Sequence, residues 1–272
     1  MIIPDFENKS ELLDYLSKNQ NKLIAQKKAI TKTGDEVLFS FSPEFIKDLG
    51  ITKAINNMPI EEVEEVLKVK AVINTTNWLD SHGDVHITGL WDKSLQENKY
   101  VMHLQEHQMK FDKIISDGEN LKAYVENFTW KQLGANYNGK TQALIFDSNV
   151  LEDRNEYMHE QYSKGYVKNH SVGMQYVKMY LCINDEGYSS EFDNWNKYFP
   201  MVANSEDATS KGYFWAVTEA KLIEGSAVPI GSNRITPTLD NNMKADISLS
   251  NTEAEKSLQE QRMLKELLNK FN

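Results

Sequence analysis

Apolar positions follow two rhythms along the chain. In residues 10–26, SELLDYLSKNQNKLIAQ, the positions Leu12, Leu13, Leu16, Leu23 and Ile24 recur at helical spacing behind Ser10, a residue type that suits an N-cap. IEEVEEVLKV, residues 60–69, reads as a second short helix with an acidic outer face. From Val69 the rhythm changes to period-two alternation rich in Val, Ile, Tyr, Phe and Trp. The runs are VKAVIN, NLKAYVENFTW, TQALIFDSNV, VGMQYVKMYLCI and YFWAVTEAKLIEGSAVPI, separated by Gly, Asn and Asp, which predicts a mostly antiparallel β domain. Among them DRNEYMHEQYSKGYV predicts a helix ending near Gly165, where a left-handed cap residue is expected. Residues 183–212 are polar with scattered aromatics and read as a surface insertion. After about Asp240 the chain is polar until Leu264, Leu267, Leu268 and Phe271 at i, i+3, i+4 and i+7, an amphipathic helix on a flexible linker.

These rhythms divide the chain into an accessory segment over 1–68, a β-rich domain over 69–239, and a linker with its helix over 240–272. At 272 residues, 40% apolar and 26% charged, it is long enough to bury a substantial core without staples. No apolar run reaches the length of a membrane span, and the acidic start lacks the pattern of a secretory signal, so neither a membrane location nor export is expected. A net charge of −10 argues against broad nucleic-acid binding, which depends on clustered Lys and Arg. The single cysteine, Cys182, excludes an internal disulfide and a cysteine-based zinc site; a buried free thiol is the reading it supports.

Chemistry must then come from six histidines and a serine. His82/His86 and His103/His107 have the spacing of paired metal ligands, but on a strand residues four apart are separated by roughly 13 Å, so no metal site is expected. KNHSVGMQYV places His170 beside Ser171 at a strand entrance. Neighbouring strand side chains point to opposite faces, so His170 is a poor base for Ser171. His107, after the apolar KYVMHLQEH, is the better candidate base, and His103, on the same face if the strand is regular, is the reserve. Gly173 permits close approach of another backbone or side chain.

Three blocks, in order, resemble the prohead (capsid maturation) serine proteases of tailed bacteriophages. LDSHGDVHITGLWDKSL with YVMHLQEHQMKFDKIISD resembles that family's Asp-x-x-Gly-Asp entrance, Gly-aromatic helix start and histidine beside a strand. NVLEDRNEYMHEQYSKGYVKNHSVGMQYV is similar to its helix, turn and Ser-[Val/Ile]-Gly strand, and EAKLIEGSAVPIGSNRIT to its Leu-x-Glu-x-Ser-x-Val-Pro closing strand. The likeness covers about residues 70 to 238. It implies an α+β fold: a mainly antiparallel, β-barrel-like protease domain with flanking helices, related to the herpesvirus assembly proteases. It also implies Ser171 as nucleophile, His107 as general base and Glu224 as the acid behind it; the herpesvirus enzymes use a second histidine there, a place His170 or His103 could take.

The implied activity is a serine endopeptidase that needs no cofactor. It would cut scaffold and major capsid protein segments, and itself, in the prohead assembling in the host cytoplasm, with a homodimer left open. The alternative is a non-catalytic capsid assembly or scaffold-associated protein on the same fold. Departures from the family pattern are Gly89-Leu90-Trp91, Gln108 after the base, and Ile230-Gly231-Ser232-Asn233 after the closing motif. Backbone amides near Ser171 and Gly173, and the side chains of Arg154 and Arg234, are the candidate oxyanion donors.

Overall fold

The alternating runs become two sheets. A computed structural model describes residues 8–29, 66–98 and 100–239, residues 4 and 6, and the backbone of 31–33 and 36–38. The chain divides into two compact units, Met1–Thr238 and Leu239–Asn272. Of the second unit only Leu239 is described, so the linker and the C-terminal amphipathic helix lie outside the described residues, as does most of the helix expected over 60–69. The end of that stretch, from Leu67, opens a strand.

The larger sheet contains β1 (Thr31–Thr33), β2 (Glu36–Leu38), β4 (Asp84–His86), β5 (Met102–Gln105), β6 (Ile114–Asp117), β9 (Asn169–Ile183) and β10 (Tyr213–Val228). Its order is β2-β1-β9-β10-β5-β6, with β4 also on β10. At 16 residues β10 is long enough to take two partners along one edge. It pairs in parallel with β4 over Trp215–Val217 and with β5 over Glu224–Ala227, and antiparallel with β9 throughout. The sheet is therefore mixed. The second sheet carries β3 (Leu67–Thr75), β8 (Lys140–Val150) and β7 (Leu121–Thr129) in that order, both pairings antiparallel. The fold is α+β; the expected barrel does not close among the described residues.

The two sheets pack through a shared core that includes Ile73, Phe146, Val172 and Leu222. At Gly225 the approach is close enough that a Cβ would press on Phe146 and Ile73. This fixes which face of the larger sheet looks inward. Val172 and His170 are the register partners of Gly225 and Ala227, so they share the inner face, while Ser171, Gly173, Glu224 and Ser226 share the outer one.

Six α-helices flank the sheets among the described residues. In α1 (Lys9–Lys18) the cap is Asn8, whose side chain accepts from the Glu11 amide at 3.0 Å; Ser10, the expected cap, lies inside the first turn. Together with α2 (Gln20–Ala29) it buries Leu13, Leu16 and Leu23 in the main core, so these helices belong to the same compact unit as the strands. Lys27 of α2 reaches Asp84 of β4 at 2.5 Å, and the Tyr176 hydroxyl donates to the other Asp84 oxygen at 2.7 Å. After α3 (Asp92–Glu97), the helix α4 (Glu156–Ser163) starts under an Asn155 cap and is followed by Gly165 at φ 66°, as its sequence predicts.

Residues 183–212 depart from the surface insertion the sequence suggests. They form α5 (Ser189–Tyr198) and α6 (Ser205–Lys211), and Trp195, Tyr198, Val202 and Ala208 bury against Phe214 and Cys182 as a second core. The scattered aromatics Phe192, Trp195 and Phe199 are spaced i, i+3, i+7, one helical face.

Candidate active site

His107 does not continue the strand that leads to it. β5 ends at Gln105, and the Gln108 amide donates back to the Gln105 carbonyl at 3.0 Å, closing a four-residue turn. Its central residues, Glu106 and His107, have φ of 52° and 57°. Two positive φ values in succession are the signature of a type I′ turn, normally left to Asn and Gly because a Cβ there crowds the following carbonyl. Glu-His is a strained occupant. The turn carries His107 off the β5 face that holds His103 and over the outer face of β10. The expectation that His103 and His107 share a face fails for this reason.

Over that outer face four residues converge. His107 Nδ1 lies 2.7 Å from Glu224 Oε1, and Glu224 is fully buried. The Ser226 hydroxyl donates to Glu224 Oε2 at 2.5 Å and accepts from the His107 amide at 3.1 Å. Ser171 is the direct register partner of Ser226, and Gly173 that of Glu224. A Cβ at position 173 would collide with the Glu224 carboxylate, so the glycine two residues after Ser171 makes room for the acid. Among the described residues, His107 Nε2 is buried with no hydrogen-bond partner, and no hydrogen bond joins it to Ser171. With Nδ1–H donated to the carboxylate, Nε2 presents a lone pair, the arrangement a general base requires.

The inner face holds the other two histidines and uses them differently. His170 Nδ1 is 3.0 Å from the Thr236 carbonyl, which can only accept, so that nitrogen carries the proton. Its Nε2 must then accept from Tyr162, 3.0 Å away. The Tyr162 oxygen in turn accepts from His103 Nε2 at 3.0 Å, and His103 Nδ1 accepts from the Ser148 hydroxyl at 2.9 Å. Every ring nitrogen is satisfied. Burial pushes His170 down to about 4, against the pull of the Thr236 carbonyl, and burial with the neighbouring His170 pushes His103 well below the usual imidazole range. Both are neutral at neutral pH. Among the described residues neither hydrogen-bonds to Glu224 or His107, and of the three candidates for the place behind His107 it is Glu224 that occupies it.

The remaining candidates scatter. Arg154 donates from Nη2 to Asp117 at 2.8 Å, and Arg234 is exposed. His86 accepts or donates within a buried chain through Asn74 and Tyr176, and His82 sits in the loop before β4. Among the described residues no three His, Cys, Asp or Glu side chains are grouped so as to hold a metal ion. Burial raises the Cys182 thiol far above its ordinary value.

One further participant, Ser226, carries a signal in the sequence. Glu224-x-Ser226 on a strand puts both side chains on one face, so the serine was legible as a neighbour of the acid. Tyr162 and Thr236 had none, because their meeting with His170 depends on how α4 and the segment after β10 pack. Comparison with known proteins finds no match to a family model, to a characterised protein or to a solved structure.

Proposed function

We propose that this protein is a serine endopeptidase that cleaves scaffold and major capsid protein segments during phage head maturation, inside the assembling prohead. The observation that carries the reading is the His107–Glu224 pair: a buried imidazole with an acid at 2.7 Å on Nδ1 and, among the described residues, no hydrogen-bond partner on Nε2, in a cluster whose Ser226 faces Ser171 across the β9–β10 pairing. In the mechanism, Ser171 Oγ attacks the scissile carbonyl while His107 Nε2 takes its proton. Glu224 holds the tautomer and balances the imidazolium. His107 then protonates the leaving amine, the acyl-enzyme forms on Ser171, and water, deprotonated by the same imidazole, releases it. A gap between Ser171 and His107 in a substrate-free protein is compatible with this, because catalytic hydrogen bonds commonly tighten only with substrate in place.

That same gap favours a second reading, a capsid-assembly protein that keeps the site without the chemistry. The test is covalent. A fluorophosphonate should label the wild type on Ser171, and not Ser171→Ala, with peptide mapping to locate the adduct. The capsid precursors should be cut when co-produced with the wild type and remain whole with the variant, which should melt as the wild type does. An unlabelled Ser171 together with processed precursors in the variant would remove the protease reading.

A further inference from the structure

Ser226 belongs to no catalytic role assigned above, yet among the described residues it is the one side chain hydrogen-bonded to both halves of the His107–Glu224 pair. Its bonding is fully determined. The His107 amide can only donate, so it occupies a lone pair of Ser226 Oγ at 3.1 Å, and the hydroxyl proton is left for Glu224 Oε2 at 2.5 Å. The first bond holds the second residue of a turn with two positive φ values, a conformation that persists only where its surroundings over-determine it. The second bond occupies the oxygen of a fully buried carboxylate that His107 does not use, and an O–H···O⁻ bond at this separation is among the strong ones. One hydroxyl thus sets where the imidazole stands and which way the carboxylate is turned.

From this we infer that Ser226 is a positioning residue, holding the His107 turn and the Glu224 carboxylate in register over Ser171. The inference rests on the proposed hydrolase reading for its kinetic consequence, but not for its geometry. The hydrogen bonds of Ser226 go to the His107 amide and to Glu224, not to Ser171 Oγ or His107 Nε2.

The experiment compares wild type, Ser226→Ala and Ser226→Thr by fluorophosphonate labelling of Ser171 across pH, beside NMR of the His107 Nδ1 proton and thermal melts. In Ser226→Ala the labelling rate should fall about 10- to 100-fold, as when an outer partner of a functional histidine is lost. The acid limb of its pH–rate profile should move to higher pH, since the carboxylate charge that Ser226 shared then falls on the imidazole alone. Ser226→Thr, which keeps the hydroxyl, should recover most of the rate. A uniform slowing with an unmoved acid limb and an unmoved Nδ1 resonance, or an unslowed Ser226→Ala, would overturn the inference. If Ser226→Ala fails to melt cooperatively, the threonine variant decides: a retained rate supports the clamp, and a lost rate in a folded protein refutes it. A wild type that never labels but whose Nδ1 proton shifts in Ser226→Ala would sink the hydrolase and leave the clamp standing.

Discussion

The two faces of the larger sheet carry histidines with different hydrogen bonding. On the inner face His170 and His103 spend all four ring nitrogens on Thr236, Tyr162 and Ser148, and burial keeps them neutral. On the outer face His107 has one nitrogen on a buried carboxylate and, among the described residues, no hydrogen-bond partner on the other. A buried polar atom without a partner costs about 1–3 kcal/mol, a cost the two inner imidazoles escape through their full set of hydrogen bonds.

The largest way to break this contrast is to change the acid. Glu224→Gln should keep the packing but let the imidazole adopt the wrong tautomer, lowering the labelling or cleavage rate about 10³- to 10⁴-fold, with little change in melting temperature. A rate near wild type would place the acid elsewhere. Next in size is an effect of the inner face alone. An unfolded chain protonates His170 near the ordinary 6.5, whereas the native protein resists until about 4. Stability is therefore whole above about pH 6.5 and falls as pH drops toward 4, by about 3 kcal/mol, with His103 acting in the same direction. Urea melts across that window check it, and a flat response would mean the inner imidazoles are not buried as described. The smallest effect is Tyr162→Phe. It leaves His103 Nε2 and His170 Nε2 without their shared hydroxyl, so stability should drop by about 1–3 kcal/mol while labelling of Ser171 in the folded protein is unchanged. A drop in labelling instead would join the two faces into one relay.

Much of the fold was legible because its strands alternate cleanly: the runs over 69–74, 141–150 and 172–183 lie within strands, and those over 120–130 and 213–230 each overrun their strand by two residues. Strand alternation likewise separated His170 from Ser171 before any coordinates. The shared face of His103 and His107 was misread because it assumed a regular strand. Glu106 and His107 are not turn residues by propensity, so nothing local announces the two positive φ values that carry His107 away. Residues 183–212 were misread for a different reason. Their polar composition concealed a helical face that packs against a core including Phe214 and Cys182, with Trp195 buried and Phe192 and Phe199 partly so. Gly173 showed that something approaches closely; that the visitor is the Glu224 carboxylate follows from the β9–β10 register.

The placement of Glu224 and Ser226 on β10, the last long strand among the described residues, also sets an order of events during synthesis. A ribosome-bound chain that has released His107 and Ser171 still lacks the strand that unites them, because the imidazole and its acid are 117 residues apart. No nascent chain shorter than that strand can assemble the cluster. Whatever chemistry the cluster performs is thereby withheld from the growing polypeptide until nearly all of the first compact unit has been made.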